Sequence, residues 1–472
     1  MTDTARIGEN RTGEKLTGEK RTDHSRTAIR TGWTLSPALA GAVVVGIVAI
    51  AAAFVMTRVE PALVGAPLLL SAALSWDRRP RRESEAAGDA HGPDGAADDI
   101  LVETSVASEG AAHPAPDGSA SLSVAIHAAG TQRPDALQLR LALGGAAPVD
   151  AVLTPAAAAR VSAEVPVVHS GRQRVASITA RAIGADAAWV GRAGEEAAVE
   201  RVVRPRRVPL RSLPLPARLL GLTGQHTSTR PGDGGEFRDI DVFHPGDRLR
   251  RIDWRATARA GRAGELYVRR TTATSDAAVH LVVDARDDLT GIVADWSRAY
   301  QRPAVSSLDL AREAASSLAF AYSGVGDRVG FDDLGESRRV LPPRAGARHR
   351  ERVLREIELT TATGTTFQRV RSPRLSPGSI VYVLSTFLDD QPSTLALTWR
   401  TAGHRVVAVD VLPARDGRDL TTRERLALRT IEVERRLRLQ QLQGGGVELL
   451  TWQDPVAREA GVRTLAAGRS RR

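Results

Sequence analysis

A long stretch without charge near the N-terminus constrains the fold of this chain more than any other feature of its sequence. Between Arg30 and Arg58 no residue is charged, and residues 35–55 (LSPALAGAVVVGIVAIAAAFV) are long and apolar enough to cross a bilayer as a helix. A second uncharged stretch, residues 61–76, follows a short break, but it is shorter and contains Pro67. The sequence therefore predicts a transmembrane helical hairpin over residues 31–77.

Positive charges flank this hairpin on both sides and are nearly absent from its turn. They are Lys15, Lys20, Arg21, Arg26 and Arg30 before it, and Arg78, Arg79, Arg81 and Arg82 after it. In the turn, Glu60 offsets Arg58. Because segments rich in Lys and Arg stay in the cytoplasm, the pattern predicts a two-pass protein of the cell membrane with both termini cytoplasmic.

Two alternatives to the hairpin follow from the same residues. The second apolar segment could be re-entrant or interfacial, and a single span would then place the C-terminal mass outside the cell. The first segment could be a cleaved signal peptide, although about thirty residues precede it and its apolar run is too extended.

The composition removes several classes of function. The net charge of +10 is carried by arginine, since the chain has only two lysines, and no basic low-complexity tail is present. An arginine bias of this kind is also typical of GC-rich genomes, so we expect no nucleic-acid partner. The absence of cysteine excludes disulfides, thiolate metal sites and cysteine nucleophiles. Residues 1–30 are polar and are predicted to be a disordered N-terminal tail.

The chain after the hairpin divides into segments of different pattern. Residues 78–118 are predicted to be an acidic linker, although 100–106 could already be a strand. In residues 119–204, short segments such as LQLRLAL alternate apolar and polar residues, which predicts an all-β sandwich acting as an interaction or spacer module.

Residues 271–460 alternate apolar strands with amphipathic helices. The strands VHLVVDA, SIVYVLSTF and HRVVAVDVL are nearly continuous in apolar residues. This pattern predicts an α/β domain with a doubly wound parallel sheet, because such strands are buried on both faces. Binding sites on these sheets lie beyond the carboxyl ends of the strands, here near Asp284, residues 385–390 and Asp410.

Residues 205–270 combine a proline-rich boundary with a strongly charged segment, HPGDRLRRIDWRATAR, at residues 244–259. The Pro-Gly-Asp turn predicts that Asp247 is the N-cap of a helix over residues 248–260. On one helix, five arginines would form a single stripe: Arg248, Arg251, Arg255, Arg259 and Arg262.

The stripe has three interpretations. Neighbouring aspartates, Asp247 and Asp253 among them, could hold the arginines and bind the segment to the α/β domain. The stripe could instead be exposed for an acidic partner surface or anionic lipid. His244 and Asp253 could act as acid and base, but no third group orients them.

This segment resembles the domain of unknown function 58 family. The matching positions are Gly235, Glu236, Phe237, Phe243, Pro245, Gly246, Asp247, Arg251, Ile252, Asp253, Trp254, Thr257, Ala258 and Arg259. The resemblance implies a membrane hairpin, a β-rich segment and a von Willebrand factor type A-like α/β domain. It also implies a non-enzymatic protein that works with a MoxR-type AAA+ ATPase in chaperone-like or cell-envelope maturation roles.

From the residues and the resemblance together we expect a membrane-anchored interaction or scaffold protein without catalytic residues or cofactor. The candidate partner-binding residues are Glu236, Phe237, Pro245, Gly246, Asp247, Arg248, Arg251, Asp253, Trp254, Arg255 and Arg259. Other membrane-associated proteins are further expected partners. The alternatives are a membrane-bound hydrolase or transferase, or a surface-exposed adhesion protein.

The resemblance also implies a position where type A domains often bind Mg²⁺. The equivalent residues are Asp284, Asp288 and Thr365, but Arg286 and Thr386 stand where a ligand serine and a ligand aspartate would be expected. Because Arg286 places a fixed cation at that position, we predict a degenerate site without metal. Only Asp389 or Asp390 could supply replacement ligands.

Overall fold

The computed structural model describes most of the chain. The described residues are 22–31, 33–77, 98–108, 121–130, 136–144, 147–153, 159–184, 187–191, 196–217, 219, 224–260, 264–296, 298, 302–335, 340–364 and 375–468. Thr365, Arg262, residues 1–21 and most of the predicted acidic linker lie outside them.

Two apolar helices pack on each other near the N-terminus. Helix α1 spans Pro37–Met56 and helix α2 spans Glu60–Asp77. In the described part of the chain, α1 alone is long and apolar enough to cross a membrane, and the apolar part of α2, Glu60–Trp76, is shorter. The helices cross closely at two glycines, since a Cβ on Gly65 would lie 2.8 Å from the carbonyl oxygen of Gly46.

Two antiparallel sheets form the β domain. The first has the order β1-β3-β4-β7, and the second has the order β2-β9-β8-β5-β6 with β10 beside β8. The strands are β1 (Thr22–Thr31), β2 (Trp33–Leu35), β3 (Asp98–Ser108), β4 (Ser121–Gly130), β5 (Ala136–Leu143), β6 (Val149–Leu153), β7 (Ala159–Pro166), β8 (Gly171–Ile183), β9 (Trp189–Gly191) and β10 (Ala197–Val203). Val124 and Val165 of the first sheet share a core with Leu139 and Ile178 of the second.

The β domain begins earlier in the sequence than predicted. Residues 22–31, expected in a disordered tail, form β1, and residues 98–108, expected mostly in a linker, form β3. The two strands pair with each other, from Thr22 opposite Ala107 to Thr31 opposite Asp98. The possible strand at residues 100–106 is therefore part of β3, whereas β1 was not predicted, because the helix pair separates it in sequence from its partner.

Trp189 joins the β domain to the base of the helix pair. Its indole nitrogen donates to the carbonyl oxygen of Ser75 at 3.2 Å, and its ring meets Trp76 edge-on at 6.0 Å between centroids. Leu39 and Ala72 complete a small core around it. The helices therefore leave the β domain and return to it at one place.

The α/β domain contains a six-stranded sheet of order β15-β14-β13-β16-β17-β18. Its strands are β13 (Ala278–Val283), β14 (Arg328–Asp333), β15 (Leu341–Arg344), β16 (Ile380–Ser385), β17 (Arg405–Asp410) and β18 (Glu448–Thr451). All neighbours pair in parallel except β15, an antiparallel edge strand. The predicted parallel sheet is confirmed, whereas β15 was not predicted because LPPR lacks a strand-like pattern.

Helices cover both faces of this sheet. They are α4 (Ser307–Gly324), α5 (Ala347–Leu359), α6 (Gln391–Thr401), α7 (Thr422–Gly444) and α8 (Pro455–Ala467). Residues of α4, α5 and α8 share one core with Leu281 and Tyr382, and residues of α6 and α7 share the other with Val282 and Val383. Helix α8 extends the domain beyond the predicted boundary at residue 460.

A two-stranded ribbon lies outside both domains' sheets. Strands β11 (His226–Val242) and β12 (Tyr267–Ser275) pair antiparallel, and the segment between them contains a 3₁₀ turn (Leu249–Arg251) and helix α3 (Trp254–Ala260). We call residues 226–275 the signature arm.

Candidate functional site

The tip of the signature arm begins with a tight turn at His244–Asp247. The Asp247 carboxylate accepts a hydrogen bond from the His244 backbone N–H at 2.9 Å, which closes the turn. Gly246 has φ +107°, a conformation that favours glycine, and Pro245 precedes it. The Pro-Gly-Asp sequence is therefore explained by the turn that it forms.

The predicted helix over residues 248–260 is interrupted. Ile252 bridges to Val268 of β12, and the Asp253 N–H donates to the Tyr267 carbonyl oxygen at 2.8 Å, so the backbone is extended there. Helix α3 begins only at Trp254, and the Asp253 carboxylate accepts from the Ala256 N–H at 3.0 Å. The capping role predicted for Asp247 was wrong, and Asp253 caps the helix.

The aspartates of the arm do not hold most of its arginines. Asp241 and Asp247 pair with Arg270 of β12, at 2.5 Å and 3.8 Å. Arg255 and Arg259 are exposed, and no described carboxylate pairs with either. Arg250, which was not among the predicted site residues, is equally exposed and unpaired within the described residues. Arg248 and Arg251 each make a further contact. The internal restraint expected for the stripe therefore does not hold for Arg255 and Arg259.

Large apolar side chains on the arm also face solvent. Trp254 is 68% exposed, Leu249 69% and Phe237 51%. Phe237 lies under the guanidinium of Arg269, 5.0 Å from ring centre to Cζ, and its neighbour Glu236 is exposed. Exposed aromatic and arginine side chains on one segment are typical of a protein-binding surface.

The carboxyl edge of the parallel sheet is occupied by the guanidinium of Arg286. Its Nε and Nη2 donate to the two carboxylate oxygens of Asp284, at 2.7 Å and 2.9 Å, and Nη2 lies 2.8 Å from Asp389. Its Nη1 donates to the side-chain oxygen of Gln391 at 2.7 Å. The side chains of Asp284 and Arg286 are each only 5% exposed. Burial alone would lower the pKa of Arg286, but hydrogen bonds to Asp284 and Asp389 outweigh burial and raise it.

The residues at this edge do not fit the Mg²⁺ site that the resemblance implies. Asp284 already binds Arg286 and accepts from the Ser385 hydroxyl at 2.8 Å. Asp288 accepts from the Leu308 N–H at 3.2 Å, at the start of α4. Asp389, a possible replacement ligand, is a second partner of Arg286. Within the described chain, no three His, Asp or Glu side chains are arranged to hold a metal ion.

The tip of the signature arm and the carboxyl edge of the parallel sheet both lie in a part of the sequence that matches one known family. Residues 239–443 match the family described as a protein of unknown function, DUF58. This match confirms the resemblance for the region that contains α3, the Arg286 network and most of α7.

Mycobacterial proteins are similar to part of this chain. An uncharacterized protein of Mycobacterium bovis and uncharacterized proteins of two strains of Mycobacterium tuberculosis are each 30% identical over 204 residues. The alignment covers 41% of this chain and 60% of each relative, so the chain spans less than two thirds of their length. No solved structure matches the chain.

A buried polar network joins the DUF58 region to the β domain. Asp309, in the first turn of α4, accepts from His169 Nδ1 and from the Ser170 N–H, each at 2.7 Å. Arg312 donates to the Ser170 carbonyl oxygen at 2.8 Å and, through Nη2, to the Thr360 carbonyl oxygen at 2.7 Å. We call these five residues the interdomain latch.

The latch borders a cavity of about 140 Å³, lined also by Gln173, Asp288 and Thr290. An Asp–His pair can serve a nucleophile as base, but no described serine or threonine hydroxyl bonds to the free nitrogen of His169. The pair of His169 and Asp309 instead links the β domain to the DUF58 region. Sequence reasoning missed the latch, and the available signal was a charged Arg312 on the apolar side of α4 beside the Ser306–Asp309 capping box.

The latch should make stability depend on pH. Burial lowers the affinity of His169 for a proton, but its hydrogen bond to Asp309 and the charge of Asp309 outweigh burial and raise its pKa above 6.5. A raised folded-state pKa gives stability that is full below pH 6.5 and is lost as pH rises through the folded value. We expect His169→Gln to lower the urea midpoint of the full chain more at about pH 5.5 than at about pH 8.5. A difference that stays constant or grows with pH would contradict this role.

Proposed function

We propose that this chain is a membrane-anchored, non-enzymatic binding protein whose signature arm docks a partner, with a MoxR-type AAA+ ATPase as the expected partner. The observation that carries the proposal is the exposure of the arm's own motif residues. None of the motif residues of α3 is buried, namely Trp254, Arg255 and Arg259. Packing within the chain therefore does not explain why these residues stand in the motif. Chaperone-like or cell-envelope maturation roles follow from the family resemblance.

The two interior polar clusters favour binding over catalysis. At the sheet edge, where α/β enzymes usually hold substrates, Asp284 and Asp389 are occupied by Arg286. In the latch, Asp309 and Arg312 are saturated by contacts within the chain. The acid–base alternative at His244 and Asp253 also loses support, because His244 bonds the Val242 carbonyl oxygen and Asp253 caps α3.

The sheet of the β domain supports the two-pass arrangement. β1 precedes α1, β3 follows α2, and the strands pair over ten residues. Because strands on opposite sides of a bilayer cannot pair, this pairing supports a proposal in which the chain before α1 and the chain after α2 lie on one side. In this proposal α1 crosses the membrane and α2 returns the chain. The external adhesion alternative requires a single span and loses support for this reason.

Single engineered cysteines will test this topology, since the natural chain has none. Val59, between the helices, and Glu459, on α8, are both exposed. In intact cells, a membrane-impermeant maleimide should label Val59→Cys, whereas Glu459→Cys should react only after lysis. Labelling of Glu459→Cys in intact cells would overturn the cytoplasmic placement.

Docking is tested by binding of the full chain, in lipid nanodiscs, to the purified MoxR-type ATPase of the same organism. Replacing Leu249 and Trp254 by alanine should weaken binding by about tenfold or more, because exposed aromatic anchors carry much of the binding energy of interfaces. Val456, on α8, is 78% exposed, and Val456→Ala is the matched control. Equal binding of all three proteins would reject the arm as the docking surface.

A further inference from the structure

The base of the signature arm lies at the amino edge of the parallel sheet. His226, at the start of β11, bonds both oxygens of Asp327 at 2.9 Å, and Asp327 comes just before β14. Asp327 also accepts from the Ala277 N–H at 2.8 Å, just before β13. Because β13 and β14 are parallel, both begin at this edge, and the arm is attached there.

The β domain is attached at the opposite edge. Helix α4 follows the carboxyl end of β13, and Asp309 in its first turn binds His169 and Ser170. Strand β8 starts from the latch at Gly171 and ends at Ile183, which pairs with Val190 beside the helix pair. Its thirteen residues span about 40 Å at roughly 3.3 Å each.

Along this series of contacts, β8 and the α/β sheet come between the membrane helices and the base of the arm. If α1 lies in a bilayer, the end of the β domain that carries Trp189 contacts the helix pair at the edge of that bilayer. From this end, β8 and then the α/β sheet lead to the base of the arm. The base of the arm is therefore attached away from the helix pair, and we take a partner in the aqueous phase as the occupant of the arm.

The charge of the arm determines the chemistry of that partner. Arg250, Arg255 and Arg259 are exposed, and none has an ion pair with a described carboxylate, whereas Asp241 and Asp247 both pair with Arg270. Like charges on one short segment repel each other unless nearby anions compensate them. Arginine also binds carboxylates in a bidentate manner that lysine cannot match.

We propose that the signature arm binds an acidic protein surface, whose carboxylates pair with Arg250, Arg255 and Arg259 around an apolar contact at Trp254. This inference rests on the proposed docking function of the arm and adds the chemical class of the partner.

The test compares two charge-reversed variants of the full chain in nanodiscs of neutral lipid. The first replaces Arg250, Arg255 and Arg259 by glutamate. The control makes the same charge change on α7, where Arg425, Arg429 and Arg436 are also exposed. The probes are the MoxR-type ATPase, polyglutamate, and vesicles containing phosphatidylglycerol.

We expect the arm variant to bind the ATPase and polyglutamate about tenfold or more weakly, and the α7 variant to bind both nearly as the wild type does. Equal loss in both variants would mean that only net charge matters, and the inference would fail. Loss of vesicle binding alone would assign the arm to anionic lipid and overturn the proposal. If the alanine replacements at Leu249 and Trp254 abolish ATPase binding while charge reversal does not, the docking function stands and the acidic partner is rejected.

Discussion

Arg286→Met is expected to lower the free energy of unfolding of the full chain by about 3–5 kcal/mol, because it leaves a buried charge without its partner. In the variant, Asp284 keeps only the Ser385 hydroxyl and a backbone N–H as partners while its side chain stays buried. Asp389 also loses its cation, which loosens the loop between β16 and α6. Chemical denaturation in detergent, followed by tryptophan fluorescence, measures the loss.

The chain offers a matched control for this replacement. Asp416 and Arg418 repeat the same Asp-x-Arg spacing and bond at 2.6 Å, but Arg418 is 87% exposed. Arg418→Met should change stability little, because solvent screens a surface pair. Removing both charges with Asp284→Asn and Arg286→Met should recover part of the loss. Equal effects at the two arginines would show that the Arg286 network does not stabilise the fold.

The same network leads to an expectation about metal. Since the oxygens of Asp284 already bind the guanidinium, we expect millimolar MgCl₂ to leave the unfolding midpoint of the wild type unchanged. A rise in the midpoint that Asp284→Ala abolishes would contradict this expectation.

The parallel sheet could be predicted because its strands are buried on both faces. β13 and β16 have every residue buried, and this gives the continuous apolar runs that mark such strands. β1 and β3 could not be predicted as a pair, because the helix pair separates them in sequence. The extended break in the arm also depends on β12, which follows it along the chain.

The candidate sites were predictable to different extents. Arg286 could be predicted as a cation at the sheet edge, since it follows Asp284 by two residues at the end of an apolar strand. Asp389 could also be placed at this edge, as a possible metal ligand, but its pairing with Arg286 was not predicted. The latch was still harder to predict from the sequence, because Ser170 and Asp309 lie 139 residues apart and in different domains.

Arg312→Met should produce a second large loss, about 3–5 kcal/mol, together with separation of the two domains. The Arg312 side chain is 5% exposed, and its donors satisfy the carbonyl oxygens of Ser170 and Thr360. Both residues are almost completely buried, so a methionine of similar size would leave these oxygens without a partner. Domain separation should free the Ser170 N–H that now donates to Asp309, so hydrogen exchange at this amide should become faster.

A second variant at the interface around Arg312 distinguishes loss of the latch from general destabilisation. Gly171 has φ +85°, and a Cβ there would lie 2.7 Å from Arg312 Cζ, so Gly171→Ala strains the same contact from the β domain. We expect it to speed the same exchange at Ser170, whereas Arg348→Met, at an exposed position on α5, should not. If Arg312→Met lowers stability without faster exchange at the Ser170 amide, the network stabilises α4 alone. The β domain would then be held to the DUF58 region by its other contacts, and the path from the membrane helices to the signature arm would not depend on the latch.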